Sequence, residues 1–120
     1  MPRLRGLTII VATADPARFH AALSLASAQA ALGRRARLYL HGEAVALLGP
    51  GSELPGYAEA GLPGIADLQA EAVALGVTIT ACQSGFVLAG LRHADIGSNI
   101  EAGGLIELIT GLDDDRLVVI

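Results

Sequence analysis

The feature that most constrains the fold is a short apolar run that does not alternate with polar residues. This run is Leu-Thr-Ile-Ile-Val-Ala at residues 7–12, and a second β-rich run, Val-Thr-Ile-Thr-Ala, predicts another long strand at residues 77–81. Strands that are apolar at consecutive positions are buried on both faces, as in parallel sheets covered by helices. Segments with helical periodicity follow both runs, which predicts βαβ crossovers. We therefore expect an α/β fold in which a mainly parallel sheet of about five strands lies between helices.

Local signals place the other elements. Asp15 and Pro16 are typical of a helix start, and Gly33 is typical of a helix end. Further strands are expected at residues 37–41, 98–101 and 116–120, and helices at residues 43–48, 63–75, 83–89 and 102–110. Residues 49–64 hold three prolines and five glycines and predict a long loop, which in a small domain is commonly mobile or functional. We expect residues 1–120 to form one domain.

Composition and charge exclude several classes of protein. The net charge of −4 argues against a nucleic-acid surface, which needs clustered cations, and we expect Arg35 and Arg37 to be solvated at strand edges. The longest apolar stretch, residues 19–32, contains several polar side chains, so no membrane span is expected. The first apolar run is short for a signal peptide and lacks a cleavage site. We therefore expect a cytoplasmic protein.

The chain has one cysteine, Cys82, which excludes an internal disulfide and leaves a free thiol. It is placed where the third long strand ends and a short helix begins, and reactive groups gather at such strand ends in open parallel sheets. Free backbone amides and the helix dipole stabilise a thiolate there. A thiolate can accept a sulfur atom from a persulfide and can leave again when that sulfur moves on. The alternative is that Cys82 is packed in the core as a small hydrophobic residue.

Other polar side chains at the strand ends could support this thiol. They are Gln83 and Ser84 beside it, His41 after the second strand, and Asp15 after the first. His41 could orient or deprotonate a bound group, or could simply end its strand half-exposed. His93 could lie near Cys82 or belong to an ordinary polar connection.

Cofactor and metal signals are absent from the sequence. No GxGxxG or Walker motif follows the first strand, so no nucleotide cofactor is expected. Residues 113–115 are three aspartates that predict a turn and lack the ligand spacing of a calcium loop, so no metal site is expected. His20 lies on a polar helix stripe and is expected to be solvated.

Several segments together resemble the DsrE/DsrF-like family, which includes YchN-type proteins and the sulfur-relay subunits of the Dsr and Tus systems. The resemblance covers nearly the whole chain. It is carried by IIVATADP at residues 9–16, ALG at 31–33, LGVTITACQSG at 75–85, AGL at 89–91 and NIEAGG at 99–104.

The resemblance implies a three-layer α/β/α fold, assembly into trimers or hexamers, and a persulfide-carrying cysteine after the third strand, a position that Cys82 matches. It points to a sulfur carrier or sulfurtransferase subunit whose partners are sulfur donor and acceptor proteins. The composition, which is 52% hydrophobic, also favours a homo-oligomer that buries leftover apolar surface. The alternatives are a non-catalytic oligomeric scaffold or small-ligand-binding subunit with a structural cysteine, and a redox sensor that forms a sulfenic acid on Cys82.

Overall fold

The computed structural model describes residues 5–120, and its core is one five-stranded sheet. The strands are β1 (Leu7–Val11), β2 (Ala36–Leu40), β3 (Thr78–Cys82), β4 (Ile100–Gly103) and β5 (Arg116–Val119). The α-helices are α1 (Pro16–Ala31), α2 (Ile65–Ala74), α3 (Gln83–Ala89) and α4 (Leu105–Thr110), and 3₁₀ helices cover Gly42–Leu48 and His93–Asp95.

The sheet is parallel throughout and has the strand order β4-β3-β2-β1-β5. Strands β1 to β4 step across the sheet in one direction, so right-handed crossovers place α1, α2 and α3 on one face. The chain then returns to the opposite edge, and the same rule places α4 on the other face. The expected three-layer α/β/α arrangement with a parallel five-stranded sheet is confirmed.

One side of the core is formed where α1 covers β1 and β2. All five residues of β1 are buried, as its non-alternating sequence predicted. Phe19, Ala22, Leu23 and Ala26 present the buried side of α1. The helix starts as expected, because the Asp15 carboxylate accepts a hydrogen bond from the Ala17 amide at 2.9 Å. The core of the described residues is therefore mainly aliphatic, with Phe19 and Tyr39 as its largest fully buried side chains.

Some predicted boundaries were wrong near the carboxyl end. The fourth strand is Ile100–Gly103, and the last helix starts at Leu105 and not at residue 102. The reason is that β4 pairs with β3 as far as the contact between Cys82 and Gly103, so these residues stay extended. The segment expected as a helix at residues 43–48 is a 3₁₀ helix that begins at Gly42.

A buried ion cluster at the amino edge of the sheet also differs from expectation. Asp115 is part of the predicted turn but is buried, and its carboxylate accepts a hydrogen bond from the Thr8 hydroxyl at 2.8 Å. The same carboxylate pairs with Arg35 at 3.3 Å and with Arg37 at 3.5 Å. The expectation of a solvated Arg37 was wrong, because its side chain is only 16% exposed and pairs with Asp115. Burial, and then the neighbouring Arg35, lower the pKa of the Arg37 guanidinium, and Asp115 partly offsets this effect. The cluster joins the starts of β1, β2 and β5.

The predicted loop at residues 49–64 has no regular helix or strand and is tied to α1. His20, which was expected to be solvated, contacts the carbonyl oxygen of Pro63 at 3.2 Å, and its ring meets that of Tyr57 edge-on at 4.8 Å. Over residues 5–120, no helix combines the length and the apolar character needed to cross a membrane.

Candidate functional site

Cys82 lies at the junction that the sequence predicted. It is the last residue of β3 and the N-cap of α3, with extended backbone angles. Gly90 ends α3 in a left-handed conformation with φ of 67°, which a glycine adopts without steric cost. The thiol is therefore held between β3 and α3, at the carboxyl end of an internal strand of the sheet.

A cavity of about 220 Å³ opens beside this thiol. It is lined by residues from β2, β3, β4 and the segments that follow them: Tyr39, His41, Cys82, Gln83, Ser84, Gly103, Gly104 and Leu105. The structure thus brings together four of the side chains singled out from the sequence. Asp15 is not among these lining residues, because its carboxylate caps α1 and pairs with Arg18 at 3.7 Å.

The position of the backbone amides around Cys82 depends on a close contact between α3 and the 3₁₀ helix at Gly42–Leu48. A Cβ atom on Gly85 would lie 2.5 Å from the carbonyl oxygen of Gly42 and would also overlap Val45. Only glycine lets the two segments approach this closely. The approach carries the backbone amide of Gly42 to the sulfur of Cys82, where it acts as a hydrogen-bond donor.

The site favours the ionised form of the thiol. Burial alone would raise the pKa of Cys82, but the backbone amide of Gly42, the Tyr39 hydroxyl and the backbone amides of Gly85 and Ser84 outweigh it. Together they lower the pKa of the thiol from its ordinary value of 9.0 to about 7. A group with such a pKa is roughly half ionised at neutral pH, so a substantial fraction of Cys82 is nucleophilic there.

Tyr39 is the functional candidate that sequence reasoning missed. It is fully buried, and its hydroxyl lies close enough to Sγ of Cys82 to favour the thiolate, although the contact falls short of ordinary hydrogen-bond geometry and no other partner is present within residues 5–120. Burial, and then the neighbouring Cys82, raise the pKa of Tyr39 far above its ordinary value of 10.0, so the phenol stays protonated and remains a donor. The signal that could have found it is strand alternation. Tyr39 pairs with Thr80 of β3, and Cys82 follows Thr80 by two residues, so the side chains of Tyr39 and Cys82 lie on the same face of the sheet.

His41 forms the other polar wall of the cavity. Its ring lies 6.2 Å from that of Tyr39, and its Nδ1 is buried and has no hydrogen-bond partner within the described part of the chain. His93 instead packs its ring 5.6 Å from that of Phe86 and contacts the carbonyl oxygen of Ile100, so it belongs to the connection after α3. Within residues 5–120, no three His, Cys, Asp or Glu side chains are grouped as a metal site would require.

A polar groove continues from the cavity along the same face of the sheet. Its lining shares Gly103 and Gly104 with the cavity and includes Thr80, Glu101 and Glu107. This face is covered within the chain by α4, which has only six residues, so much of β3 and β4 is left open. The thiol therefore lies at one end of an accessible groove with carboxylates along it.

The strand order and the helices on both faces define a three-layer α/β/α protein with a YchN-like fold. The crystal structure of the ychN protein from E. coli is similar to this chain, with a TM-score of 0.72 and 19% sequence identity. The similarity covers 98% of this chain and 100% of that one. No protein-family model and no curated protein sequence matches the chain. At this identity the likeness establishes the fold.

Proposed function

We propose that this protein is a sulfur-relay subunit that carries persulfide sulfur on Cys82 and passes it to a partner protein. The observation that carries the proposal is a thiol whose pKa is lowered to about 7 by four surrounding donors and which lines an open cavity. A sulfur carrier needs a thiolate that attacks readily and also leaves readily, and a pKa near ambient pH suits both steps.

The chemistry needs no oxidant. The Cys82 thiolate attacks the outer sulfur of a donor persulfide, a bond forms between the two sulfurs, and the donor's own S–S bond breaks to release the donor as a thiolate. In the second step an acceptor thiolate attacks the outer sulfur now held on Cys82 and releases the Cys82 thiolate. One sulfur atom moves in each step, and the total number of S–S bonds is unchanged.

The single cysteine gives the partners their role in this proposal. Cys82 is the only cysteine in the sequence, so the chain has no second thiol to resolve the persulfide itself. Donor and acceptor must both be supplied by other molecules, and we propose that they are proteins. A reducing cytoplasm, where a lone thiol stays free, is the location that fits this role.

Assembly into a homo-oligomer, a trimer or a hexamer, is part of the same proposal. The two helices that follow the cavity residues expose large apolar side chains: Val87 on α3 is 84% exposed and Ile106 on α4 is 85% exposed. Leu88 and Ile109 on the same two helices are also exposed. The two helices lie on opposite faces of the sheet but both start beside the cavity, and exposed apolar side chains there are a common mark of protein interfaces.

A structural cysteine is the second candidate, and one observation favours it. Cys82 is only 8% exposed, which is typical of a thiol that packs as a small hydrophobic residue. In that case the protein would be an oligomeric scaffold or a small-ligand-binding subunit. Its thiol would react with an alkylating reagent only after unfolding.

Intact-protein mass spectrometry separates the two candidates. Wild type and the Cys82→Ala variant are treated with glutathione persulfide, and Glu71→Gln, an exposed change on α2 outside the cavity lining, serves as the control. The proposal expects wild type and Glu71→Gln to gain one sulfur atom that a reductant removes, and Cys82→Ala to gain none. If the folded wild type gains no sulfur while a known carrier is loaded under the same conditions, the scaffold reading replaces the relay. Preferential reaction with hydrogen peroxide would instead support a redox sensor.

A further inference from the structure

If Cys82 carries a persulfide, as the proposed function requires, the two sulfur atoms of that persulfide would have different surroundings. The inner sulfur is Sγ of Cys82, on a side chain that is 8% exposed. The outer sulfur would extend from it into the cavity shared by Tyr39 and His41. An incoming thiolate therefore meets the outer sulfur in the open space and the inner sulfur only behind it.

The two possible attacks give different products. Attack on the outer sulfur forms a bond between the acceptor sulfur and that atom, and breaks the bond to Sγ, which leaves with the electron pair as a thiolate. Attack on the inner sulfur forms a mixed disulfide between the acceptor and Cys82, and the outer sulfur leaves as hydrosulfide. Both reactions balance without an oxidant, but only the first delivers sulfur to the acceptor.

We propose that Tyr39 is a catalytic residue that donates a hydrogen bond to Sγ of Cys82 as the persulfide bond breaks, and thereby directs transfer to the outer sulfur. The Tyr39 side chain is fully buried, and its hydroxyl faces Sγ of Cys82 but has no partner of ordinary hydrogen-bond geometry within residues 5–120. Buried hydroxyls normally have a well-formed partner, so a donor that meets a reactive sulfur only weakly at rest points to a charge that develops there during the reaction.

The hydrogen bond from Tyr39 should strengthen as the persulfide bond breaks. A neutral thiol is a weak acceptor and a thiolate is a strong one, so the hydroxyl gains most when Sγ becomes charged. Outer attack puts the negative charge on Sγ, next to Tyr39. Inner attack puts it on the departing hydrosulfide, one S–S bond away from Sγ, the atom that the hydroxyl faces. The same donor therefore favours the productive reaction over the wasteful one.

The matched variants are Tyr39→Phe and Tyr57→Phe. The first removes only the hydroxyl that faces Sγ of Cys82 and keeps the buried ring. The second removes the other tyrosine hydroxyl of the chain, on a ring that packs against His20. Each protein is loaded with glutathione persulfide, freed of excess reagent, mixed with one molar equivalent of 2-mercaptoethanol and quenched early with iodoacetamide, so that no further thiol reduces the first products. Mass spectrometry then follows the free chain and the mixed disulfide, and a hydrosulfide assay follows the leaving group.

Wild type and Tyr57→Phe should return to the free chain with little hydrosulfide. Tyr39→Phe should transfer sulfur roughly tenfold more slowly, the effect of losing one hydrogen bond to a charged group, and should form more mixed disulfide and hydrosulfide. Equal rates and equal product ratios in all three proteins would overturn the role of Tyr39.

A titration without persulfide separates this inference from the proposed function. The pH at which iodoacetamide alkylation of Cys82 reaches half its maximum should rise in Tyr39→Phe and stay unchanged in Tyr57→Phe, and an unchanged value in Tyr39→Phe would contradict the hydrogen bond itself. If none of the proteins accepts sulfur although this shift is present, the relay function fails, and the catalytic role of Tyr39 fails with it.

Discussion

Gly85 of α3 packs so closely against Gly42 that a Cβ on Gly85 would lie 2.5 Å from the carbonyl oxygen of Gly42. This contact brings the amide of Gly42 to the sulfur of Cys82. The lowered pKa of the Cys82 thiol therefore depends on Gly85, because the close packing of Gly85 against Gly42 holds the Gly42 amide at the sulfur.

Gly85→Ala should weaken the fold and the thiolate together. The added methyl group must displace backbone and Val45, and overpacking of this kind typically costs about 1–3 kcal/mol of the free energy of unfolding. The displaced Gly42 amide would stabilise the thiolate less, so the pKa of Cys82 should rise. Denaturant unfolding and the pH dependence of iodoacetamide alkylation measure the two effects. Ser84→Ala, an exposed change in the same turn, should leave the free energy of unfolding nearly unchanged, and a Gly85→Ala protein as stable as wild type would refute the contact.

The pH dependence of Cys82 gives a direct prediction. The pKa of its thiol is lowered from 9.0 to about 7, so alkylation of the folded protein should reach half its maximum near the lower value. The thiolate also stabilises the folded chain: that contribution is complete above the ordinary thiol pKa of 9.0, which the unfolded chain has, and is lost as the pH falls through the folded pKa. Relative to Cys82→Ala, wild type should therefore gain stability between neutral and alkaline pH. A half-maximum near the ordinary thiol pKa, with a flat stability difference, would contradict the site description.

Replacing Asp115 should lower the free energy of unfolding and leave the pKa of the Cys82 thiol unchanged. Asp115→Asn removes the charge that pairs with Arg35 and with the mostly buried Arg37. Breaking a buried pair on one side leaves an uncompensated charge, and we expect a loss of roughly 3 kcal/mol in the free energy of unfolding. The alkylation profile of Cys82 should stay the same, because the cluster lies at the amino edge of the sheet and the thiol at the carboxyl edge. Glu71→Gln, an exposed change on α2, is the matched control. A shifted alkylation profile in folded Asp115→Asn would show that the two edges are coupled.

The sequence was most informative where one local signal determined the structure. The non-alternating run at β1, the Asp15 cap and the boundaries of α3 before Gly90 all followed from short-range rules. The position of Cys82 at the end of β3 followed from the same reasoning, since a strand end and a helix start define it without knowledge of the partners.

The missed features all depend on contacts between distant parts of the chain. Tyr39 reads as an ordinary strand residue until the register places it on the same face as Cys82. Asp115 reads as a turn residue until β5 pairs with β1 and carries it to Thr8, which is 107 positions away in the sequence. The start of α4 was misplaced because pairing between β3 and β4 holds Gly103 extended. Propensity acts within a few residues and cannot supply such partners.

The exposed apolar residues on α3 and α4 give the prediction on assembly. Both helices begin beside the Cys82 cavity, since α3 follows the thiol directly and α4 follows Gly104 of the cavity wall. Val87 and Ile106 are each more than four-fifths exposed, at 84% and 85%, and neither contributes to the core of the described chain. Glutamate at these positions would put a charge into any interface between copies, at a cost that an oligomer of moderate affinity could not compensate.

The Val87→Glu, Ile106→Glu double variant should therefore elute as a monomer under conditions in which wild type is a trimer or hexamer, as measured by size-exclusion chromatography with light scattering. Leu32→Glu is the control, because Leu32 is also exposed, at 67%, but caps the far end of α1. Its molar mass should equal that of wild type. If the double variant keeps the wild-type mass, α3 and α4 are not the interface between copies. In that case, a loss of sulfur delivery in the double variant, with Cys82 still loaded by glutathione persulfide, would assign these helices to the acceptor protein.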